Sequence, residues 1–543
     1  MIVLDTILEN LRNGGSRTAL IEVIEDTLRP VSSKDLLERV QRIRGWLKSV
    51  QIQPGDRVAL LANNSATWAA ADLAILLEGA ISVPLYARQN PTELAGMLKD
   101  CTPSALLAED DALCQSIQTA WKSSVPIATF ERALSEEPSE EAPATLPSDA
   151  TITLIYTSGT SGEPKGVMIT AANVDFMVPT TVHDLDRLMS VAGCGDHPFH
   201  YLPFCFAGSR IMLWTQLHRA TPLMLSTDLN ALVQEIGTAD PAYSLNVPAL
   251  LERIRWGVIA GVKKKGGLAS ALYSAGEAAF KRGLGGEARF LDSFTLGLTR
   301  RIVFNAIRTR IGKRLGFLVC GSAPLSEDTQ RWFEMLAIPV YQVYGLTETT
   351  AIVTMDRPDE IEPGLVGATI PGVETQVTEA GELLLRGPNV FAGYWNRPEA
   401  TQEALQEGWL HTGDQVIQDE RGRWKIIGRV KNLLVPESGH NIAPEPLEAL
   451  VVEHCEGIEQ AMLVGHGRPW LCAIVTGSAE TREIEKGLDA MNSQLPHYRR
   501  IRKYMYSATP FSDENRQLTA NQKMRRAQIE SDFQTQIEEL YAA

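Results

Sequence analysis

The residues with the most chemical promise are packed into Tyr156–Thr170, YTSGTSGEPKGVMIT. From Tyr156 to Gly166 inclusive there are three glycines, five hydroxyl side chains and one lysine, Lys165. Consecutive backbone N–H groups in such a loop form an anion-binding concavity. Gly159 and Gly162 permit the positive φ and close backbone approach that this needs. The hydroxyls of Thr157, Ser158, Thr160 and Ser161 add donors, and Lys165 adds a compact positive charge. The chemistry this suits is the holding of a phosphate-rich ligand. The spacing is not that of a G-x-x-x-x-G-K-[ST] loop opening a helix. Two residues separate Gly162 from Lys165, and a strand-like run follows Gly166. The reading as a P-loop nucleoside triphosphatase falls on that count. A flexible Ser/Gly surface loop is the competing reading, and the ordered flanks and single lysine speak against it.

Those flanks are what must position the loop. Thr151–Tyr156, TITLIY, has the β-branched composition of a strand. The run GVMIT follows, and Thr170 suits a helix N-cap. Upstream, strand patterns at Thr18–Val23, Arg57–Ala62 and ISVPLY alternate with helical patterns at Ser32–Val50 and ATWAAADLAILLEGA. Such alternation predicts parallel α/β layers with ligands at the carboxyl ends of strands. Ser135–Asp149, rich in Pro and Glu, reads as a surface linker. Gly261–Phe290 reads as helical with mobile joints, its lysine run as a solvated face. The expected fold class is α/β. A large N-terminal domain of layered α/β subdomains spans 1–428 and a small α+β C-terminal domain spans 429–543. The latter ends in an amphipathic helix, KMRRAQIESDFQTQIEELY.

Bulk properties bound the function. The 543 residues suggest three or four domains or subdomains, and 44% hydrophobic and 22% charged content are those of a soluble globular chain. A net charge of −15 argues against a general nucleic-acid binder, without excluding local anion sites. The seven cysteines are odd in number and lack metal-binding spacing, which suits a reducing, cytoplasmic setting. The opening MIVLDTILENLRNGG has early acids and no long apolar core, so it does not read as a secretory leader. No run reaches the length of a membrane span, which leaves peripheral membrane contact at most.

Further segments follow the loop in fixed order: GSAPLS at Gly321–Ser326, VYGLTET at Val343–Thr349, and GELLLRGPNVFAGYWNRPEAT at Gly381–Thr401. Then come GWLHTGD at Gly408–Asp414, GRVKNLLVPESGHNIAPEPLE at Gly428–Glu448 and LTANQKMRR at Leu518–Arg526. Together they resemble the adenylate-forming superfamily of acyl-CoA synthetases, peptide-synthetase adenylation domains and luciferases. Long-chain fatty acyl-CoA synthetases are the most similar. The resemblance implies an ATP-dependent ligase that activates a small-molecule carboxylic acid as acyl-AMP and passes it to the thiol of CoA. It implies ATP and Mg²⁺, with coenzyme A as co-substrate. The loop of Thr157, Ser158, Gly159, Thr160, Ser161, Gly162 and Lys165 would hold the β- and γ-phosphates. Gly321, Ser322, Ala323 and Pro324 would line the adenine and acyl sites with backbone. Tyr344, beside Gly345, would stack on adenine, and Thr347 would bond the α-phosphate. Glu348 would hold the metal, Asp414 would accept the ribose hydroxyls, and Arg429 would assist at ribose or phosphate. Lys523 would be the catalytic lysine, placed between the acyl carboxylate and the α-phosphate.

The same resemblance implies a mobile C-terminal domain that presents Lys523 in one orientation and the SGHN face in another. The pivot falls at Lys431, beside Asn432 where the family commonly has an acid. Gly439 would let the CoA arm pass, and HYRRIRK, 497–503, either meets CoA phosphates or is a solvated face. The apolar stretch YLPFCFAGSRIMLW corresponds to the acyl–thiol junction. It departs from the L-P-x-x-H pattern of long-chain synthetases: Phe206 stands at the histidine position, while Arg210 is present. A medium-to-long apolar acid is the leading substrate reading and an aryl acid the second. An acyl carrier protein is the alternative acceptor. A non-catalytic nucleotide- or acyl-binding protein is the reading from another class, and the presence of Lys165, Glu348, Asp414 and Lys523 together weighs against it.

Overall fold

A computed structural model describes residues 1–158, 164–519 and 523–542. Two large twisted sheets dominate. The first runs, in spatial order, Gly393–Tyr394, Pro164–Thr170, Thr151–Ser158, Ile81–Leu85, Arg57–Leu61, Ala105–Ala108 and Ile127–Thr129. Its central strands pair in parallel, while Thr151–Ser158 and Pro164–Thr170 form an antiparallel hairpin. Lys165 stands opposite Thr157 across this ladder. Thr170 caps the next helix, Ala171–Ala192, its hydroxyl accepting the Asn173 N–H at 3.3 Å. Ser32 caps Ser33–Ser49 in the same way.

The second sheet has nine strands, with Pro198–His200, Tyr243–Asn246, Phe317–Cys320 and Val340–Tyr344 side by side and parallel. A five-stranded antiparallel sheet around Trp409–Gln418 follows, and its strand Trp424–Arg429 leads into the C-terminal unit. That unit has its own three-stranded sheet, Ile458–Val464, Leu471–Gly477 and Ile501–Ser507, with separate apolar clusters on its two faces. The predicted class, mixed α/β with a large N-terminal part and a smaller C-terminal one, is what is seen.

Two segments differ from the reading of the sequence. Ser135–Ala150 carries no regular element, yet it is strapped to helix Ser33–Ser49. Arg44 donates to the Glu141 carbonyl at 2.9 Å and Arg42 to that of Glu136 at 3.1 Å. The C-terminal amphipathic run is two short helices, Arg526–Asp532 and Gln534–Tyr541, broken at Phe533 where the ring packs on Phe511.

The large sheets meet over a buried polar knot. Asp72 accepts from Arg210 Nε at 3.1 Å, Trp214 Nε1 at 3.1 Å and the Ser82 hydroxyl at 2.8 Å. Arg210 also donates to Thr153 and lies over the Trp214 ring. Arg210 and Asp72 are essentially sealed, at 1% and 0% side-chain exposure. A buried charge left without its partner is strongly destabilising. Asp72→Ala is therefore expected to cost about 3–5 kcal/mol, seen as a lowered unfolding midpoint. The Asp72→Ala/Arg210→Met double variant is expected to recover part of that loss. A single variant that melts with the parent would show that Arg210 finds another counter-charge.

Candidate active site

The site is assembled at carboxyl ends of strands from both sheets. Tyr344 closes Val340–Tyr344, and Gly321 follows Phe317–Cys320 with its N–H on the Asn246 carbonyl at 3.1 Å. Gly321 packs against Val343: a Cβ there would fall 2.6 Å from Val343 Cγ2. Ser322 holds a left-handed φ of 75°, a strained state for a non-glycine residue that turns the backbone just past the strand's carboxyl end. Gly345 has no room for a side chain, since a Cβ would sit 1.5 Å from the Ala351 carbonyl oxygen. Thr347–Thr349 form a single 3₁₀ turn that carries Glu348. The turn is held by the Thr349 hydroxyl accepting from Leu346 N–H at 2.8 Å, and by Phe391 N–H on the Glu348 carbonyl at 2.9 Å.

Around this turn the charged side chains form one connected group. The Lys165 ammonium lies 5.1 Å over the ring of Tyr394, whose hydroxyl donates to Glu348 Oε1 at 2.8 Å. Asp414, buried in strand Trp409–Gln418, receives the Tyr344 hydroxyl at 2.6 Å on one oxygen and pairs with Arg429 Nε at 2.7 Å through the other. Burial raises the Asp414 pKa, against the pull of Arg429, Tyr344 and Lys523. Lys523 completes the group. Desolvation and the nearby Arg429 lower its pKa, while Asp414 and Glu348 oppose them. The residue is open to solvent on one side, so its desolvation is partial and its position matters more. Arg429, Asp414 and Glu348 all lie within electrostatic range of its ammonium.

Lys523 is held to Thr519 through its backbone. Its N–H donates to the Thr519 hydroxyl at 3.1 Å, and the Thr519 N–H returns to the Lys523 carbonyl at 2.8 Å. Two residues on, Arg525 reaches Glu93 of helix Pro91–Cys101 at 2.6 Å and ties the C-terminal unit to the large part. A second tie joins Glu453 to Asp328, with Lys263–Glu456 at 3.5 Å nearby. Burial and the facing Asp328 carboxyl push Glu453 up to about 7. A raised carboxyl pKa favours this contact at low pH, and the contribution is lost as pH rises through about 7.

Not every predicted residue joins the group. Gly159, Thr160, Ser161 and Gly162 lie outside the described residues. Arg210, read as a CoA or acyl contact, has its guanidinium committed to Asp72 and Thr153 in the interior. Phe206 is the N-cap residue of helix Ala207–Arg219, with its ring 6.0 Å from that of Tyr86. The imidazole nearest in sequence, His200, does not replace the missing histidine. It is fully buried against Phe204, pushed down to about 4 by burial, with no polar side-chain partner for its ring nitrogens. Lys431 pairs loosely with Glu403 at 3.4 Å, and Asn432 donates to Glu445 at 2.7 Å. Gly439 has a φ of 76° with open space beside it, so a turn demands the glycine there. In the same unit His440 stacks on Tyr498 at 4.0 Å, which joins the SGHN segment to the basic 497–503 run.

Tyr394 was missed as a site residue, because an aromatic between apolar neighbours reads as core. Phenylalanine there keeps the ring under Lys165 and removes only the hydrogen bond to Glu348. Tyr394→Phe is expected to lower kcat/KM for ATP·Mg²⁺ about tenfold, the scale of one hydrogen bond to a charged group. Unchanged steady-state constants would show that Glu348 is oriented by its turn alone.

Among the described residues no three His, Cys, Asp or Glu side chains converge as a cage for a metal. Glu348 fits Mg²⁺ nevertheless, because that ion is usually held by one or two carboxylates together with substrate phosphates and water.

The model of the AMP-binding enzyme family matches residues 8–395, and that of the AMP-binding enzyme C-terminal domain matches 431–543. Among curated relatives, the long-chain-fatty-acid–CoA ligase FadD15 of Mycobacterium bovis is 26% identical, with 98% of this chain and 96% of the relative covered. Fatty acyl-CoA synthetase B of Dictyostelium discoideum is 25% identical over 99% of this chain and 90% of its own. Among solved structures, the A domain of carboxylic acid reductase from Segniliparus rugosus, with AMP and a co-purified carboxylic acid, superposes with a TM-score of 0.77 at 21% identity, covering 99% and 94%. O-succinylbenzoate coenzyme A synthetase from Bacillus subtilis, with ATP and magnesium ion, gives 0.73 at 20% identity, covering 97% and 99%.

Proposed function

The chain belongs to the AMP-binding enzyme family, and from that premise we propose that this AMP-forming acid–thiol ligase works on a medium-to-long apolar acid. The observation that carries the catalytic reading is the convergence of Lys165, Tyr394, Glu348, Tyr344, Asp414, Arg429 and Lys523 on one 3₁₀ turn. In this reading the acid's carboxylate attacks the α-phosphate of ATP and pyrophosphate leaves. Negative charge gathers at one phosphorus, so catalysis is positioning and electrostatic stabilisation. Lys523 neutralises carboxylate and α-phosphate as they meet, and Thr347 bonds the latter. Lys165 and the hairpin loop retain the leaving phosphates. Asp414 takes the ribose, exchanging its bond to Tyr344 for the hydroxyls, and frees that ring for adenine. Bound at Glu348, Mg²⁺ would neutralise phosphate charge.

The boundary between the parts falls at 428/429 and Lys431 is the pivot. For the second step the C-terminal unit turns to present Gly439 and the His440–Tyr498 stack to the thiol. CoA is the acceptor, with a carrier protein as the second reading, and the scattered cysteines, all free, suit a cytoplasmic setting.

The tail is read as apolar because Phe206 and Tyr86 pack together at the junction, and the cation four residues on, Arg210, is buried and already neutralised. The curated relatives named for long-chain fatty acids support this, while solved neighbours include aryl ligases. A panel of acids with ATP, scored for pyrophosphate with and without CoA, tests it. Each added CH₂ contributes about 0.8 kcal/mol, roughly fourfold in KM, until the pocket is full. Aryl acids outrunning every alkyl acid would overturn it.

Phe206 makes a further prediction. A phenyl ring offers no hydrogen bond to the carbonyl oxygen that gains charge as sulfur attacks. Preformed acyl-adenylate is expected to decay slowly on adding CoA, and Phe206→His to accelerate that decay about tenfold with adenylation unaltered. If the parent consumes its adenylate as fast as it forms and the variant matches it, Phe206 only walls the acyl site.

A further inference from the structure

The helical segment between strands Tyr243–Asn246 and Phe317–Cys320 has a second apolar face that the fold does not cover. Helix Asp292–Thr299 and the π-turn Arg300–Phe304 bury Val303, Phe304 and, in part, Leu296 in the cluster under Trp332. The outward side of the same helix is also apolar. Phe290 is 99% exposed, Leu291 64%, Phe294 72%, Leu298 40% and Ile302 52%. Leu291, Phe294, Leu298 and Ile302 recur at three- and four-residue steps and form a single stripe. Apolar on both faces, a helix ordinarily has a partner on each, and a contiguous exposed apolar patch marks an interaction site.

This face is fixed in place. Asp292 accepts from Arg282 Nε at 2.9 Å and from the Arg289 N–H at 2.8 Å, which clamps the turn that carries Phe290 and Leu291. The surrounding charge names the partner. Residues 248–314 hold 14 Lys and Arg against 4 Asp and Glu, in a chain whose net charge is −15. Arg289 precedes the stripe, Arg300 and Arg301 interrupt it, and all three are exposed. Arg300 and Arg301 carry no ion pair among the described residues. No helix among those residues is long and apolar enough to cross a membrane, so contact would be at a surface. An apolar stripe edged by arginines is the pattern of a helix lying in the interface of an anionic bilayer.

We propose that this face docks on an anionic lipid bilayer. The five apolar side chains enter the headgroup–acyl boundary, and Arg289, Arg300 and Arg301 engage lipid phosphates. The proposal stands apart from which acid the site takes, and none of these residues belongs to that site.

Co-sedimentation of the full chain with phosphatidylcholine vesicles, with and without phosphatidylglycerol, tests it. The parent is expected to bind the phosphatidylglycerol vesicles, weakly the neutral ones, and to be released by high salt. Phe290→Ser/Phe294→Ser is expected to lower the partition coefficient by roughly tenfold or more. Arg300→Glu/Arg301→Glu, which leaves the apolar stripe intact, is expected to abolish the preference for anionic lipid. Both variants should keep the parental melting temperature and pyrophosphate release with a short, water-soluble acid. Should the serine pair fail to fold, the glutamate pair decides alone. Absence of parental binding, binding indifferent to lipid charge, or equal binding by the variants overturns the proposal. So does self-association of the parent without lipid that Phe294→Ser abolishes and vesicles do not compete, since the face would then belong to a second copy of the chain.

Discussion

Lys523→Ala is expected to reduce adenylate formation by about 10²–10³-fold, the cost of about 3–4 kcal/mol of transition-state electrostatic stabilisation. The loss should be confined to one half-reaction. The Lys523 ammonium is positioned among Arg429, Asp414 and Glu348 only while the C-terminal unit sits as it does here, tied by Arg525 to Glu93. In the proposed two-orientation cycle the unit then turns to present the thiol and carries the lysine away, so its removal should leave thiolysis of a supplied acyl-adenylate near the parental rate. Rapid-quench assays of the two half-reactions check this. Equal loss in both would mean that Lys523 holds the fold or the nucleotide rather than the transition state.

Lys431→Pro is expected to do the reverse. Lys431 lies in the short turn Val430–Asn432, directly after the strand that carries Arg429. Its side chain is largely solvated beside Glu403, and its N–H makes no backbone hydrogen bond among the described residues. Proline there removes no bond in the present orientation, yet fixes φ at the proposed pivot. Adenylation should survive, while thioester formation falls by roughly 10²-fold or more, the scale on which misplaced groups act. A variant that completes both steps at the parental rates would place the pivot elsewhere.

Much of the framework was legible because it follows local rules. Capping by Thr170, the strand-like runs on either side of the glycine-rich loop and the alternating elements all depend on residues a few positions apart; that the two runs pair antiparallel is seen only in the structure. The strapping of Ser135–Ala150 was not, because it depends on Arg42 and Arg44 reaching backbone carbonyls from a distant helix, and no periodicity records that. The break at Phe533 was hidden for a related reason. Its sequence pattern continues as one amphipathic helix, while packing on Phe511 decides the turn. In the site, the family motifs supplied Lys165, Tyr344, Glu348, Asp414 and Lys523, which the fold gathers into one group. Tyr394 became visible only when its strand paired with Pro164–Thr170 and placed its ring between Lys165 and Glu348. Arg210 went the other way. Its position suggested the thiol junction, but a carboxylate 138 residues earlier, Asp72, claims its charge.

In the proposed reaction the acid's own oxygen attacks the α-phosphate of ATP. Supplying a carboxylic acid labelled with oxygen-18 in the carboxylate, with ATP, Mg²⁺ and CoA, and recording the masses of the nucleotide products tests it most directly. One labelled oxygen is expected in AMP for each thioester formed, with unlabelled pyrophosphate, because thiolysis breaks the acyl carbon–oxygen bond and leaves that oxygen on phosphorus. Label in inorganic phosphate, formation of ADP, or thioester with unlabelled AMP would contradict it.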